Sequence, residues 1–375
     1  MNSSIRKTIC IDARMIKNSG IGLYIEKYTQ YILESNKWYA YIIGSKSTLS
    51  NLYGNFKNWT LIEDDSPIYS IREQFMLFKK IPRCDILWSP HYNIPLLYVN
   101  AKKRVVTIPD IFHLVSKSTY SFEKRIYAEY VLKNAVKKSD IVTTISTFSR
   151  GEILEKVCSD PQKVIAIPLG VDSNYFNPNS SLLHENKVIQ NYSLPDKYLL
   201  FVGNVKPHKN LLNLLKAFQK IAISQKDVHV LIVGKKEGFI TGDKEVFKFL
   251  NENADISKRV LFTGYVKSED LPIIYKLASL FVFPSLYEGF GLPPLEAMAC
   301  GCPVVASNAA SIPETCGDAA YYIDPTNIDS IAEGILDVLG NSTTYNNLIK
   351  KGYKRVKLYK WHESAAIFED ILFKL

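Results

Sequence analysis

The chain has 375 residues, 47% of them hydrophobic and 22% charged, with a formal net charge of +9. That length exceeds what one hydrophobic core usually serves, so two domains are expected, and the composition excludes intrinsic disorder. No signal peptide opens the sequence and no run reaches the ~18 apolar residues of a membrane span, so a cytoplasmic protein is expected, soluble or peripheral at the inner face of a membrane.

Short apolar, β-branched runs alternate with amphipathic stretches along the chain, which is the sequence form of βα repetition and a parallel sheet. The first half predicts strands at Thr8 to Ile11, Ala40 to Gly44, Thr60 to Ile62, Asp85 to Trp88, Arg104 to Ile108 and Ile141 to Ile145. Gly20 and Gly22 follow the first of these. They fail as a dinucleotide fingerprint, because the third glycine is missing and the pair lies some nine residues past the strand. Ligands of open α/β sheets bind at the C-terminal ends of strands, so S-P-H-Y-N-I-P-L (89 to 96) makes His91 an active-site candidate; His113 is a weaker one. The stretch 122 to 138 predicts a long helix with one apolar and one basic side.

Charge is uneven: residues 1–172 hold 24 Lys/Arg against 16 Asp/Glu, a net +8, and the remainder nets +1. Much of the excess sits in three clusters: Lys79, Lys80 and Arg83; Lys102, Lys103 and Arg104; Lys133, Lys137 and Lys138. These read either as solvated faces or as attraction to an anionic membrane surface or phosphates. No nucleic-acid motif accompanies them, which makes nucleic acid the weaker partner. Six scattered cysteines (Cys10, Cys84, Cys158, Cys300, Cys302, Cys316) match no zinc spacing and read as small buried residues. Pro and Gly interrupt the periodicity between Ile165 and Pro178, which marks a domain boundary.

A second series of strands is expected at Tyr198 to Val202, His229 to Val233, Val260 to Thr263, Leu280 to Phe283, Val304 to Ala306 and Ala320 to Ile323, with a helical tail from about Asn347. Gly203 ends the first of these, and Lys209 stands before a helix predicted over Leu211 to Ile221. A cation at a helix N-terminus opposes the helix dipole, so Lys209 calls for a bound anion. After the strand at Leu280 comes S-L-Y-E-G-F-G-L-P-P-L-E-A-M-A-C-G-C (285 to 302). Gly289 and Gly291 permit close backbone approach, the helix start beside them suits a pyrophosphate, and Glu288 and Glu296 can accept hydrogen bonds from sugar hydroxyls. The plainer alternative is a β-α connection with one capping and one solvated glutamate.

That last segment, continued by A-S-N-A-A-S-I-P-E-T-C-G-D-A-A (306 to 320), resembles the E-x7-E signature of the retaining family 4 glycosyltransferases. Their fold is GT-B, two Rossmann-like α/β domains facing a central cleft. The resemblance implies an acceptor domain over residues 1–172, a donor domain over 173–355, and a helix over 356–375 that crosses back to the first domain from a Trp-containing start like Trp361. It places the transferred sugar on Glu288 and the nucleotide ribose on Glu296, with Gly289, Phe290, Gly291 and Leu292 lining the donor. The family's G-R-x4-K loop appears with Asn204 in place of the arginine and Lys209 retained to meet the diphosphate. F-T-G-Y-V (262 to 266) resembles the loop that meets the nucleobase, here through Tyr265 and Val266. Gly20 and Gly22 resemble the family's glycine-rich loop. At 106 to 114, V-T-I-P-D-I-F-H-L carries Pro109 where relatives have a histidine and keeps Asp110.

The implied function is hexosyl transfer from a nucleotide sugar to a glycan or lipid-linked acceptor in polysaccharide biosynthesis. GDP-mannose is favoured over UDP-sugars, because S-G-I-G-x-Y, P-H-Y-N-I-P and P-x-K-N look closest to bacterial surface-polysaccharide mannosyltransferases. Glu288, Asp110, Lys209, His113 and His91 are the catalytic candidates. No cofactor is expected, and no metal, because no D-x-D-type cluster accompanies Lys209. The alternatives are a same-fold sugar-nucleotide epimerase and a non-catalytic carbohydrate- or phosphate-binding scaffold. The second is motivated by Asn204 and Pro109.

Overall fold

The computed structural model describes residues 6–18, 20–68, 70–116, 122–172, 181–234 and 243–375. It divides into two compact units, Met1–Gly170 with Trp361–Leu375, and Val171–Lys360. The first unit runs β1 (Lys7–Asp12), α1 (Ile21–Glu34), β2 (Trp38–Gly44), α2 (Lys46–Tyr53), β3 (Trp59–Glu63), α3 (Ile71–Lys80), β4 (Cys84–Ser89), β5 (Ala101–Thr107), α4 (Phe112–Val115), α5 (Phe122–Lys138), β6 (Ile141–Thr144), α6 (Thr147–Lys156) and β7 (Val164–Ala166). Its seven strands are parallel, in the order β3-β2-β1-β4-β5-β6-β7. Strand β7 corrects the expectation that the segment from Ile165 is only a connection. It has three residues, too few to show a period, and is defined by its pairing with β6.

The second unit runs α7 (Leu182–Tyr192), β8 (Tyr198–Val202), a 3-10 turn (Pro207–Lys209), α8 (Leu211–Ile221), β9 (His229–Val233), α9 (Lys244–Glu252), α10 (Ala254–Ser257), β10 (Val260–Gly264), α11 (Leu271–Leu277), β11 (Leu280–Phe283), α12 (Leu292–Ala299), β12 (Val304–Ser307), α13 (Ile312–Cys316), β13 (Tyr321–Ile323), α14 (Ile328–Gly340) and α15 (Ser342–Val356). Its six parallel strands follow the order β10-β9-β8-β11-β12-β13. All four residues of β11 are buried, as expected of a parallel strand covered on both faces. Helix α8 buries Leu211, Leu214, Leu215, Phe218 and Ile221, a helical stripe that packs on Phe201, Ile232 and Leu280.

The expected single tail helix is two helices, α15 and α16 (Trp361–Lys374), separated by four residues. α16 belongs to the first unit and packs on α1. Phe368 is fully buried, 5.1 Å from the Tyr28 ring and 4.6 Å from the Trp88 ring, and Trp38 Nε1 donates to Glu369 Oε1 at 3.1 Å.

In each sheet the winding reverses once, between β1 and β4 and between β8 and β11. Loops leaving the strand ends at such a reversal diverge to opposite faces and leave a crevice, the usual ligand position in an open α/β sheet.

Candidate functional site

The reversal between β8 and β11 brings together the loops that carry Lys209 and Glu288. The β8 loop closes in the 3-10 turn, and Asn210 follows in the left-handed region (φ 60°) as N-cap of α8. Asn210 Nδ2 donates to the carbonyls of Pro284 (3.0 Å) and Pro325 (2.7 Å), and Leu286 N donates to His208 O at 2.8 Å. The two loops are thus fastened to each other. From the far side the buried Ser311 hydroxyl donates to Glu288 O (2.8 Å) and Phe290 O (2.9 Å), and Thr315 Oγ1 donates to Phe290 O at 2.7 Å. Sequence reasoning named neither hydroxyl. Both stand in the 306–320 stretch it quoted, and Ser-x3-Thr at one helix turn was the available signal.

Within this frame Lys209 Nζ donates to both oxygens of Glu288, at 2.7 and 2.9 Å, and lies 5.6 Å from the Phe283 ring centroid. Their side chains are 19% and 13% exposed. The anion that Lys209 calls for is therefore supplied first by the protein, a correction to reading it as a diphosphate ligand alone. Gly291 has φ 113°, a conformation that favours glycine, and it opens α12. Pro293 and Pro294 have no amide hydrogen, so of the first three residues of α12 only Leu292 supplies a donor. The expected helix-end anion site therefore depends on amides of the Gly289–Leu292 stretch more than on the helix itself.

Glu296 is partly buried on α12 and accepts from Tyr275 Oη at 2.9 Å. Burial pushes its carboxyl up to about 7, with the Tyr275 hydroxyl pulling the other way. Gly203 and Asn204 leave β8, while Tyr265 (75% exposed) and the buried Val266 follow β10, so all lie at the C-terminal edge of the same sheet.

The β1/β4 reversal in the first unit holds a cavity of about 10 Å³, room for one water, bordered by Asp12, Arg14, Ser89, His91 and Asn93. The Arg14 guanidinium, 3% exposed, donates to both Asp12 oxygens (2.7 and 2.6 Å) and to Glu73 Oε1 (2.6 Å), which also accepts from Asn93 Nδ2 at 2.6 Å. Burial alone would lower the Arg14 pKa; Asp12 and Glu73 outweigh it and raise it, fixing the positive charge. This network also escaped sequence reasoning, since its members come from β1, α3 and the segment after β4.

The His91 and Tyr92 rings lie tilted at 38° with centroids 4.0 Å apart, and Tyr92 meets His113 edge-on at 5.7 Å. Burial, then the His113 charge, lowers the His91 pKa to about 3, so the ring is neutral near pH 7. Asp110 Oδ1 accepts from Phe112 N at 3.0 Å, where the chain enters α4. The structure thus gathers His91 and His113, and gives Asp110 a turn-forming bond. Gly22 lies inside α1 and is not a loop glycine; a Cβ there would stand 2.2 Å from Ile16 O. Only Gly20, which precedes the helix, keeps the expected loop position. Among the described residues no group of three or more His, Cys, Asp or Glu is placed to hold a metal.

The profile of the family described as "Glycosyl transferases group 1" matches residues 184–355. The O-antigen chain mannosyltransferase B of Escherichia coli is 32% identical over 284 residues, covering 75% of this chain and 72% of that one. The chain belongs to the group 1 glycosyl transferases. Another relative is the serotype-specific mannosyltransferase WbdA of Escherichia coli, 28% identical over 273 residues. That match takes 72% of this chain and spans about a third (33%) of WbdA's own length. Among solved structures, HepE of Anabaena in complex with UDP and glucose superposes with a TM-score of 0.76 at 18% identity, covering 99% of this chain and 100% of that one. The fold is accordingly the GT-B fold of these transferases, and the protein is a glycosyltransferase.

Proposed function

We propose that this glycosyltransferase moves a mannosyl residue, with retention of configuration, from a nucleoside-diphosphate sugar to a glycan or lipid-linked acceptor in surface-polysaccharide assembly. The observation that carries the proposal is the Lys209–Glu288 pair, a mostly buried cation and anion placed side by side at the sheet reversal of the second unit. The diphosphate and the sugar hydroxyls of one donor present the complementary charge and donors. Glu288 accepts from the transferred sugar, Lys209 meets the diphosphate without the arginine that Asn204 replaces, and Glu296 accepts from the ribose. Tyr265 and Val266 stand toward the base. Acceptor binding belongs to the first unit, with His91, His113 and Asp110 as its polar groups. The Escherichia coli relatives are mannosyltransferases by name, which favours mannose, and GDP-mannose as its carrier. A lipid-linked acceptor would bring the protein to the cytoplasmic face of a membrane.

In the step itself the bond from the sugar C1 to the β-phosphate oxygen breaks, and the acceptor oxygen bonds to C1 on the same face. The departing phosphate takes the proton of the acceptor hydroxyl. Lys209 stabilises the charge that develops on the leaving group, and Glu288 holds the oxocarbenium-like sugar by its hydroxyls; neither forms a covalent bond. A lysine in this role makes a divalent metal unnecessary. The test is incubation with a panel of nucleotide sugars in chelator, reading free nucleotide. Release from GDP-mannose, raised by acceptor and lost in Lys209→Ala, is expected. No release from any donor, or an absolute need for magnesium, overturns the proposal.

A further inference from the structure

The crossovers β3→β4, β4→β5 and β5→β6 all advance in one direction along the first sheet, and α1 and α2 advance in the other. Right-handed connection therefore puts α3, the segment from His91 to Asn100, and α5 on one face of the sheet. Packing agrees: Leu77 and Val99 share a cluster with Cys10 and Leu87, while Ile94 packs with Val131 and Val106. The middle segment ties the two helices together, since Gln74 bonds to Ile94 O (3.2 Å) and Leu96 N (2.6 Å), and Lys138 Nζ donates to Leu96 O.

The outer side of this layer is unusually apolar. Phe75 and Phe78 of α3 are 55% and 46% exposed, and Tyr98 of the middle segment 78%. Ile126, Tyr127 and Tyr130 of α5 are each more than half exposed. Positions 126, 130, 133 and 137 form one stripe of α5, so its apolar turn runs into lysines.

The same layer holds part of the basic excess that no carboxylate offsets. Lys102 and Lys103 pair with Asp85 (2.7 Å) and Asp140 (2.9 Å), Arg104 donates to Pro95 O, and Lys133 pairs with Glu129. Arg72, Lys79 and Lys137 are exposed on α3 and α5 and carry no ion pair among the described residues. Aromatic rings with unpaired cations match the two layers of an anionic bilayer surface: ring bodies at the headgroup–acyl boundary and cations at the phosphates.

We propose that the α3–α5 face of the first unit lies on an anionic lipid bilayer, with Phe75, Phe78, Tyr98 and Tyr130 entering the headgroup layer and Arg72, Lys79 and Lys137 over lipid phosphates. The proposal deepens the reading of a lipid-borne acceptor, but its test uses neither donor nor acceptor, so either can fail alone.

The test is flotation of the full chain with vesicles of phosphatidylcholine alone or mixed with phosphatidylglycerol. Binding to the mixed vesicles only, weakened by salt, is expected. The double variant Phe75→Ser/Tyr130→Ser should lose about tenfold in partitioning, the burial of two rings being withdrawn. Arg72→Gln/Lys79→Gln/Lys137→Gln should lose on the order of fivefold per charge. Lys102→Gln/Lys103→Gln, which lowers the net charge away from the proposed contact residues and bares Asp85 and Asp140, should lose clearly less than the Arg72/Lys79/Lys137 variant. The varied side chains are exposed, so thermal unfolding should be unchanged and a loss of binding is not a loss of fold. Absence of binding, equal binding to neutral vesicles, or an equal loss in the Lys102/Lys103 variant overturns the proposal. So does a self-associated parent chain that Phe75→Ser/Tyr130→Ser renders monomeric, which would give the face to a second copy.

Discussion

Glu296 and Glu288 are alike in type and separated by one turn and one loop, but their surroundings make them different instruments. Burial leaves Glu296 close to half ionised at neutral pH, so its readiness to accept from a ribose hydroxyl changes with pH. Nucleoside-diphosphate affinity should rise as pH climbs from ~6 to ~8, and Glu296→Gln should flatten that rise. Calorimetry across that range in buffers of different ionisation enthalpy checks both, because the diphosphate releases protons in either protein and the parent should release more than Glu296→Gln. Stability carries the opposite sign: this carboxyl's pKa is raised from 4.5 to about 7, so its contribution is present below the lower value and is lost as pH rises through the higher. In the proposed donor complex Glu288 competes with the diphosphate for Lys209. Glu288→Gln keeps the shape but frees the ammonium, so diphosphate affinity should hold or increase while turnover falls about tenfold or more. A parallel loss of affinity would show that Glu288 holds the nucleotide and not the sugar.

Apart from β7, the strands of both sheets were legible because each is a short apolar run between turn residues. Helices α5 and α8 have the bounds expected of them; the buried apolar stripe accounts for α8, whereas the outer side of α5 carries Ile126, Tyr127 and Tyr130 beside its lysines and is not the simply basic side expected. What stayed hidden was pairing between distant elements: the three-residue β7, the Arg14–Glu73–Asn93 network, and the hold of Lys209 on Glu288. None leaves a local period. The basic clusters show the same limit, because sequence counts Lys102 and Lys79 alike and only the sheet shows that Asp85 neutralises the first. At Gly22 the motif was visible and its reason was not. Its hydrogen occupies the space between α1 and the Ile16 carbonyl, so Gly22→Ala should shift the start of α1 and destabilise the first unit by about 1–3 kcal/mol. Urea unfolding of this variant checks the figure; an unchanged midpoint would mean the turn before α1 yields freely.

At the scale of the molecule the two units are built differently. Val171–Lys360 is one continuous stretch with its own six-stranded sheet and core, whereas the first unit needs residues from both ends of the chain. Separately expressed 171–360 should fold and unfold cooperatively, and 1–170 should do so only when residues 361–375 are supplied as a peptide. Circular dichroism melts of the three samples decide it, and a cooperative melt of 1–170 alone would refute the dependence. The docking of α16 over Tyr28 and Trp88 also sets an order of events during synthesis. At about 5–20 residues per second the ribosome spends on the order of ten to forty seconds on Val171–Lys360. For that interval the groove that will receive Phe368 is open, with Tyr28 and Trp88 not yet covered by α16. The part made first is therefore completed after the second, and a chain broken off just before Trp361 would lack a piece of the first unit while keeping the second whole.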